Sequence, residues 1–154
     1  MDYRRTRVIF VCLGNSCRSP MAEAIAAHIA SDVMEVSSAG VAALGVVQSL
    51  TKVTVAKNGY PADGLESKLL EDSDLGAADI VINMTGRPGL ALFHDASKVE
   101  DWYVEDPYGS GAETYQRVFE DIESRVVELV GRVRRTATNE FTPRNAREEG
   151  AGQQ

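Results

Sequence analysis

Two thiols sit five residues apart in the stretch VIFVCLGNSCRSPMAEAI, residues 8–25. They are Cys12 and Cys17, the only 2 cysteines of the 154-residue chain, too few for a disulfide framework. A β-branched apolar run precedes them and an alanine-rich helical pattern follows, so the turn between them leads from a strand into a helix. The first turn of a helix presents unpaired N–H groups and a partial positive charge, which favour the thiolate form of a cysteine beside it. Arg18 adds a permanent cation whose planar fork matches a phosphoryl group. If the loop curls so that successive N–H groups face inward, it forms a nest for an anion. Leu13, Gly14, Asn15, Ser16, Cys17 and Arg18 are then the phosphate-binding positions, with Gly14 supplying backbone freedom. A thiolate nucleophile, an oxyanion cradle and a charge clamp are the requirements of phosphoryl transfer to cysteine. A leaving group also needs a proton, and Asp106 in EDPYG can supply it, because Pro107 keeps the preceding residue out of helical geometry and in an extended loop. Cys12 is the candidate nucleophile, Arg18 the phosphate clamp and Asp106 the general acid.

The elements that must position these groups follow from hydrophobic spacing. Residues 7–11 and 79–84 are short apolar runs expected to form buried strands. Residues 33–38 predict a second strand closed by Ala39-Gly40, and 97–103 a short last strand. Helices are expected over 20–31, with Pro20 in the first turn, over 47–57, closed by Asn58-Gly59, over 66–76, and briefly over 88–94. Residues 112–135 carry the strongest helical stripe: Tyr115, Val118, Phe119, Ile122, Val126, Leu129 and Val133. Alternating strands and helices predict an α/β domain over 1–135, a four-stranded parallel sheet with helices on both faces and its ligand site at the carboxyl ends of the strands. Residues 136–154 lose the pattern and are expected to be a disordered tail.

Composition bounds the partners. The net charge of −7 and a pI near 4.8 exclude a broad basic face for nucleic acid. No apolar run approaches the roughly 20 residues of a membrane helix, and none resembles a signal peptide; a cytoplasmic monomer is expected. The loop lacks the G-K-[ST] ending of a nucleotide-binding phosphate loop. His28, read as a half-buried helix residue, and His94, read as a surface one, lie in helical stretches without paired metal-ligand spacing, so neither a metal nor another cofactor is expected.

At VCLGNSCRSPMAEA (11–24), SSAG (37–40), ADIVINM (78–84) and EDPYG (105–109) the chain resembles the low-molecular-weight protein tyrosine phosphatase family. The resemblance implies hydrolysis of a phosphorylated protein through a cysteinyl-phosphate intermediate, with inorganic phosphate as product and no metal. It implies that Asp106, after protonating the leaving group, activates water. It implies that Asn15 and Ser19 shape the loop and hydrogen-bond the thiolate, that Ser38 braces Asn15, and that Cys17 traps an oxidised Cys12 as a reversible disulfide. Three positions depart from the family pattern. Gly64 stands where a loop-supporting histidine is common. Leu44 stands where an aromatic wall is common and would, with Tyr108, line the pocket. Ser16 replaces an apolar β-branched residue, as a threonine does in relatives acting on phosphoarginine, where a hydroxyl could place water or read a guanidinium. The alternatives are an arginine phosphatase using the same site, an arsenate reductase, which would need a further cysteine pair, and a non-catalytic phosphate- or redox-sensing module.

Overall fold

The computed structural model describes residues 4–141. Four strands, β1 (Thr6–Cys12), β2 (Met34–Gly40), β3 (Ile80–Asn83) and β4 (Val99–Asp101), form one sheet in the order β2-β1-β3-β4. All three pairings are parallel, with Val8 beside both Val36 and Ile80. The helices are α1 (Arg18–Ile29), α2 (Ser49–Lys57), α3 (Asp72–Ala77), α4 (Gly89–Leu92) and α5 (Ala112–Phe141).

Because side chains alternate across a strand, β1 feeds two cores. Val8, Phe10 and Cys12 join the cluster built with α1 and α5, while Ile9 and Val11 join Ala39, Val81 and Phe93 on the other face, with Leu75 and Leu92 from α3 and α4. The nucleophile candidate therefore points to the same face as the helix that follows it. The α5 stripe packs there as expected: Tyr115, Val118, Phe119, Ile122, Val126, Leu129 and Val133 are all buried. Each such side chain contributes on the order of 1.5–3 kcal/mol.

Several boundaries move. α1 starts at Arg18 rather than Pro20, so the clamp residue belongs to the first turn. The helix expected over 66–76 begins only at Asp72, because Leu69 makes a bridge to Gly40. The strand expected over 97–103 is three residues, preceded by a 3-10 turn at Ala96–Lys98. α5 continues to Phe141, so the first six residues of the expected tail are helical; the remainder of that tail, 142–154, lies outside the described residues. α2 ends as expected, with Gly59 at φ 90° and its N–H bonded to the Ala56 carbonyl. Among the described residues no helix is long and apolar enough to cross a membrane.

Candidate active site

The loop from Cys12 to Arg18 is held from outside by its carbonyls. Those of Cys12, Leu13 and Gly14 accept the N–H groups of Val41, Ala42 and Leu44, at 2.8–3.1 Å. The Ser16 carbonyl accepts from Gln48 N at 3.1 Å and Thr51 Oγ1 at 2.9 Å. Among the described residues the backbone N–H groups of 13–17 have no protein acceptor. Carbonyls bonded outward and N–H groups left over are the arrangement an anion nest needs.

The left-handed residue that turns this loop is Asn15, at φ 47°, and not Gly14 as expected. Asn15 bears that geometry because its short polar side chain bonds locally. It is fully buried; Nδ2 donates to Ser19 Oγ at 2.8 Å and to Ser38 Oγ at 2.9 Å, and Oδ1 accepts from Lys68 N at 2.8 Å. Gly14 answers to space instead: a Cβ there would lie 3.1 Å from Leu44 Cγ. The glycine that cannot change is Gly40, at the end of β2. A Cβ there would meet Asn15 N and Leu13 O at 2.8 Å, backbone atoms with no room to yield.

Ser19 Oγ lies 2.9 Å from Cys12 Sγ. Arg18 is buried, and its Nη1 donates to the carbonyls of Met84 at 2.8 Å and Val104 at 3.3 Å. Its Nε is buried and, among the described residues, has no acceptor. Nη2 is 3.4 Å from Asp106 Oδ2. One side of the guanidinium is thus anchored to the ends of β3 and of the segment after β4. The other, the Nε/Nη2 edge, remains for a bidentate oxyanion. Asp106 is half-exposed, and its Oδ1 accepts from Tyr108 N at 3.1 Å.

These groups surround a cavity of about 280 Å³ lined by Cys12, Leu13, Gly14, Ser16, Cys17, Arg18, Leu44, Asp106 and Tyr108 among others. The expected wall residues Leu44 and Tyr108 stand at its mouth, both more than half exposed. Ser16 lines it too, but its hydroxyl donates to the Val46 carbonyl at 2.8 Å and accepts from Gln48 Nε2 at 3.1 Å, so its hydrogen is committed to the wall segment rather than to a substrate. Cys17 is a free thiol 3.4 Å from the Tyr115 hydroxyl. Burial pushes Cys17 up from the ordinary thiol range, the Tyr115 bond opposing it. His28 is exposed rather than half-buried, set edge-on to Tyr60, and His94 is exposed.

Sequence reasoning left the loop's bracing in question at Gly64. The structure supplies it elsewhere: Ser38 Oγ donates to Glu23 Oε1 at 2.5 Å, completing a chain from α1 through Ser38 to Asn15. Glu23 was in plain view within SPMAEA, but nothing in spacing alone tells a brace from a solvated helix glutamate. The Met84 and Val104 carbonyls that seat Arg18 carried no side-chain signal at all.

Residues 7–139 match the family model for low molecular weight phosphotyrosine protein phosphatase. Arsenate reductase 1 of Staphylococcus haemolyticus (strain JCSC1435) is 30% identical over 126 residues, covering 79% of this chain and 92% of its own. Among solved structures, a low molecular weight protein tyrosine phosphatase from T. tengcongensis superposes with a TM-score of 0.75 at 31% identity, covering 82% of this chain and 99% of its own. The YwlE arginine phosphatase from Geobacillus stearothermophilus superposes at 0.79 with 27% identity, covering 90% and 98%.

Proposed function

The chain belongs to the low molecular weight phosphotyrosine protein phosphatase family, and from that premise we propose that it hydrolyses phosphotyrosine in proteins through a cysteinyl-phosphate intermediate. The observation that carries the reading is the Nε/Nη2 edge of Arg18, its buried Nε without an acceptor among the described residues, lining one cavity with Cys12 and with a loop whose N–H groups have no protein acceptor. Cys12 Sγ attacks phosphorus as thiolate; the S–P bond forms as the bond to the phenolic oxygen breaks. Asp106 gives its proton to that oxygen. The loop N–H groups and Arg18 hold the equatorial oxygens, where charge is greatest. Asp106, now a carboxylate, takes a proton from water as the water attacks the phosphocysteine, and inorganic phosphate leaves with the thiolate restored. The exposed apolar rim of Leu13, Leu44 and Tyr108 offers contact to an aryl ring. On oxidation Cys17, which lines the same cavity, pairs with Cys12 as a recoverable disulfide; the shared lining supports that role. The phosphatase domain is taken as residues 1–135.

A second reading, hydrolysis of phosphoarginine, is favoured by polar Ser16 in the loop, whose oxygen keeps a lone pair for a guanidinium N–H, and by likeness to the YwlE arginine phosphatase. The curated relative's name adds arsenate reduction; the cradle suits any tetrahedral oxyanion, but Cys12 and Cys17 are the chain's only thiols. One experiment separates these. Hydrolysis of a phosphotyrosine and a phosphoarginine peptide is measured beside arsenite formation from arsenate with a dithiol reductant, each with a Cys12→Ser control. Preference for phosphotyrosine is expected. Preference for phosphoarginine assigns the second reading, and Cys12-dependent arsenite without peptide hydrolysis replaces both. No Cys12-dependent turnover of any of the three leaves a binding module.

A further inference from the structure

The hydrogens around Asn15 can be placed one by one. Its Oδ1 accepts the Lys68 N–H, so Nδ2 is the amide group that faces the two hydroxyls, and its two hydrogens go to Ser19 and Ser38. Each hydroxyl, having accepted one bond, has a single hydrogen to give. Ser38 gives its hydrogen to the Glu23 carboxylate; Ser19 Oγ lies 2.9 Å from Cys12 Sγ, and once Cys12 is a thiolate only Ser19 has a hydrogen to give in that bond. The chain of bonds thus runs from a carboxylate on the second turn of α1 to the sulfur. The Lys68 N–H fixes which way the Asn15 amide faces, and the Glu23 carboxylate fixes the Ser38 hydroxyl that accepts one of its two hydrogens.

We propose that Glu23 is a positioning residue of this site: as a carboxylate it holds the Ser38 hydroxyl as the acceptor of one Asn15 hydrogen, which seats Asn15 to give the other to Ser19 and leaves the Ser19 hydrogen for the Cys12 thiolate. The inference rests on Cys12 being the nucleophile, as argued above. A protonated Glu23 has a hydrogen of its own to give. It competes with Asn15 for the Ser38 oxygen and frees the Ser38 hydrogen from its acceptor, and the order is lost. Burial pushes Glu23 above the usual carboxylate range, the Ser38 bond and Lys68 opposing it and Glu66 adding to it, so the loss begins at a higher pH than for a solvated glutamate. Asp63 and His28 are the other titratable groups on this side; with Glu23 and Gly64 they line a cavity of about 220 Å³ behind the loop. Gly64 sends nothing into it, and a Cβ there would meet no atom within 4 Å. The bracing duty falls to Glu23 directly.

The test is the rate at which iodoacetamide alkylates Cys12, assigned against Cys17 by fragment ions of the peptide 8–18 that holds both, from pH 4.5 to 8 in the full chain and in Glu23→Gln and Glu23→Ala. Glutamine still accepts from Ser38 but does not titrate. It is expected to keep the neutral-pH rate within about threefold and to fall on the acid side with a slope of about one proton throughout, whereas the parent steepens above one across the Glu23 transition and ends about tenfold lower. Alanine removes the acceptor and is expected to slow alkylation about tenfold, the scale of one lost buried hydrogen bond. Loss of negative charge alone would speed both variants, so two faster variants, or a glutamine curve merely displaced with unchanged steepness, overturn the proposal. Hydrolysis of p-nitrophenyl phosphate is measured in parallel. A parent that is alkylated at Cys12 with the expected profile yet hydrolyses nothing refutes the phosphatase reading and leaves the Glu23 assignment standing.

Discussion

The loop around Cys12 and the loop around Asp106 face each other across one cavity and are held in opposite ways. In the first, the carbonyls of four of residues 12–16 are bonded to the 41–51 segment, and Asn15, Ser16, Arg18 and Ser19 are buried polar groups with named partners. In the second, Asp106 is half-exposed and keeps one backbone bond to Tyr108 and a 3.4 Å approach to Arg18. A cradle that must present several donors to one oxyanion gains from being fixed before substrate arrives, since reorganisation then costs nothing at the moment of reaction. An acid that must meet leaving groups of different shape and later admit water gains from an exposed, lightly tied loop. Damage to the first should therefore hurt every substrate alike, and damage to the second should depend on which substrate is used.

Substitutions on either side test that contrast at its largest. Asp106→Asn is expected to lower kcat/KM for a phosphotyrosine peptide about 10²–10⁴-fold, and much less for p-nitrophenyl phosphate, whose leaving group hardly needs a proton, while kcat falls for both because the phosphocysteine they share loses its base. Arg18→Lys keeps the charge but loses the fork and its anchors on Met84 and Val104. It is expected to cost about 10²–10³-fold on both substrates and to weaken competitive inhibition by phosphate, which Asp106→Asn spares. Equal losses of kcat/KM for the two substrates in Asp106→Asn would remove the distinction between the loops.

A smaller effect should come from behind the cradle. Gly40→Ala puts a methyl group against Asn15 N and Leu13 O, and a backbone held by its Leu13 and Gly14 carbonyls must move. A stability loss of about 1–3 kcal/mol in chemical denaturation is expected, with a fall in kcat common to both substrates. An unchanged midpoint would mean that the loop yields more easily than its bonding implies.

How much of this was legible in the residues follows the same divide. β1, the helix after it and the α5 stripe could be read because burial imposes a period on side chains, and Cys12, Arg18 and Asp106 because their chemistry is scarce. Asn15 as the left-handed residue could not be read, since glycine at 14 is the ordinary expectation and only the hydrogen bonds to Ser19, Ser38 and Lys68 overturn it. The start of α3 was misplaced because Leu69 pairs with Gly40 across sequence distance, where local propensity is silent. Glu23 needed Ser38, fifteen residues away, to be recognised.

The rim offers the finest test of the contrast. Leu44 and Tyr108 line the cavity mouth from the two sides, Leu44 on the segment that braces the cradle and Tyr108 on the acid loop, and both are exposed. Each holds its neighbour through its backbone N–H alone, so each side chain contributes binding common to ground and transition states, and truncation should raise KM rather than lower kcat. For Leu44→Ala and Tyr108→Ala a KM increase of about three- to tenfold is expected with a phosphotyrosine peptide, the scale of losing partial burial of one apolar side chain. Tyr108 also follows the acid by two residues, and its backbone N–H, which any residue but proline keeps, holds Asp106 Oδ1. Tyr108→Ala leaves that bond in place, so a fall in kcat there beyond about threefold, with kcat unchanged in Leu44→Ala, would show that the aromatic ring itself steadies the acid loop. The acid side would then be more firmly organised than its exposure implies, and the difference between the two loops would be one of degree.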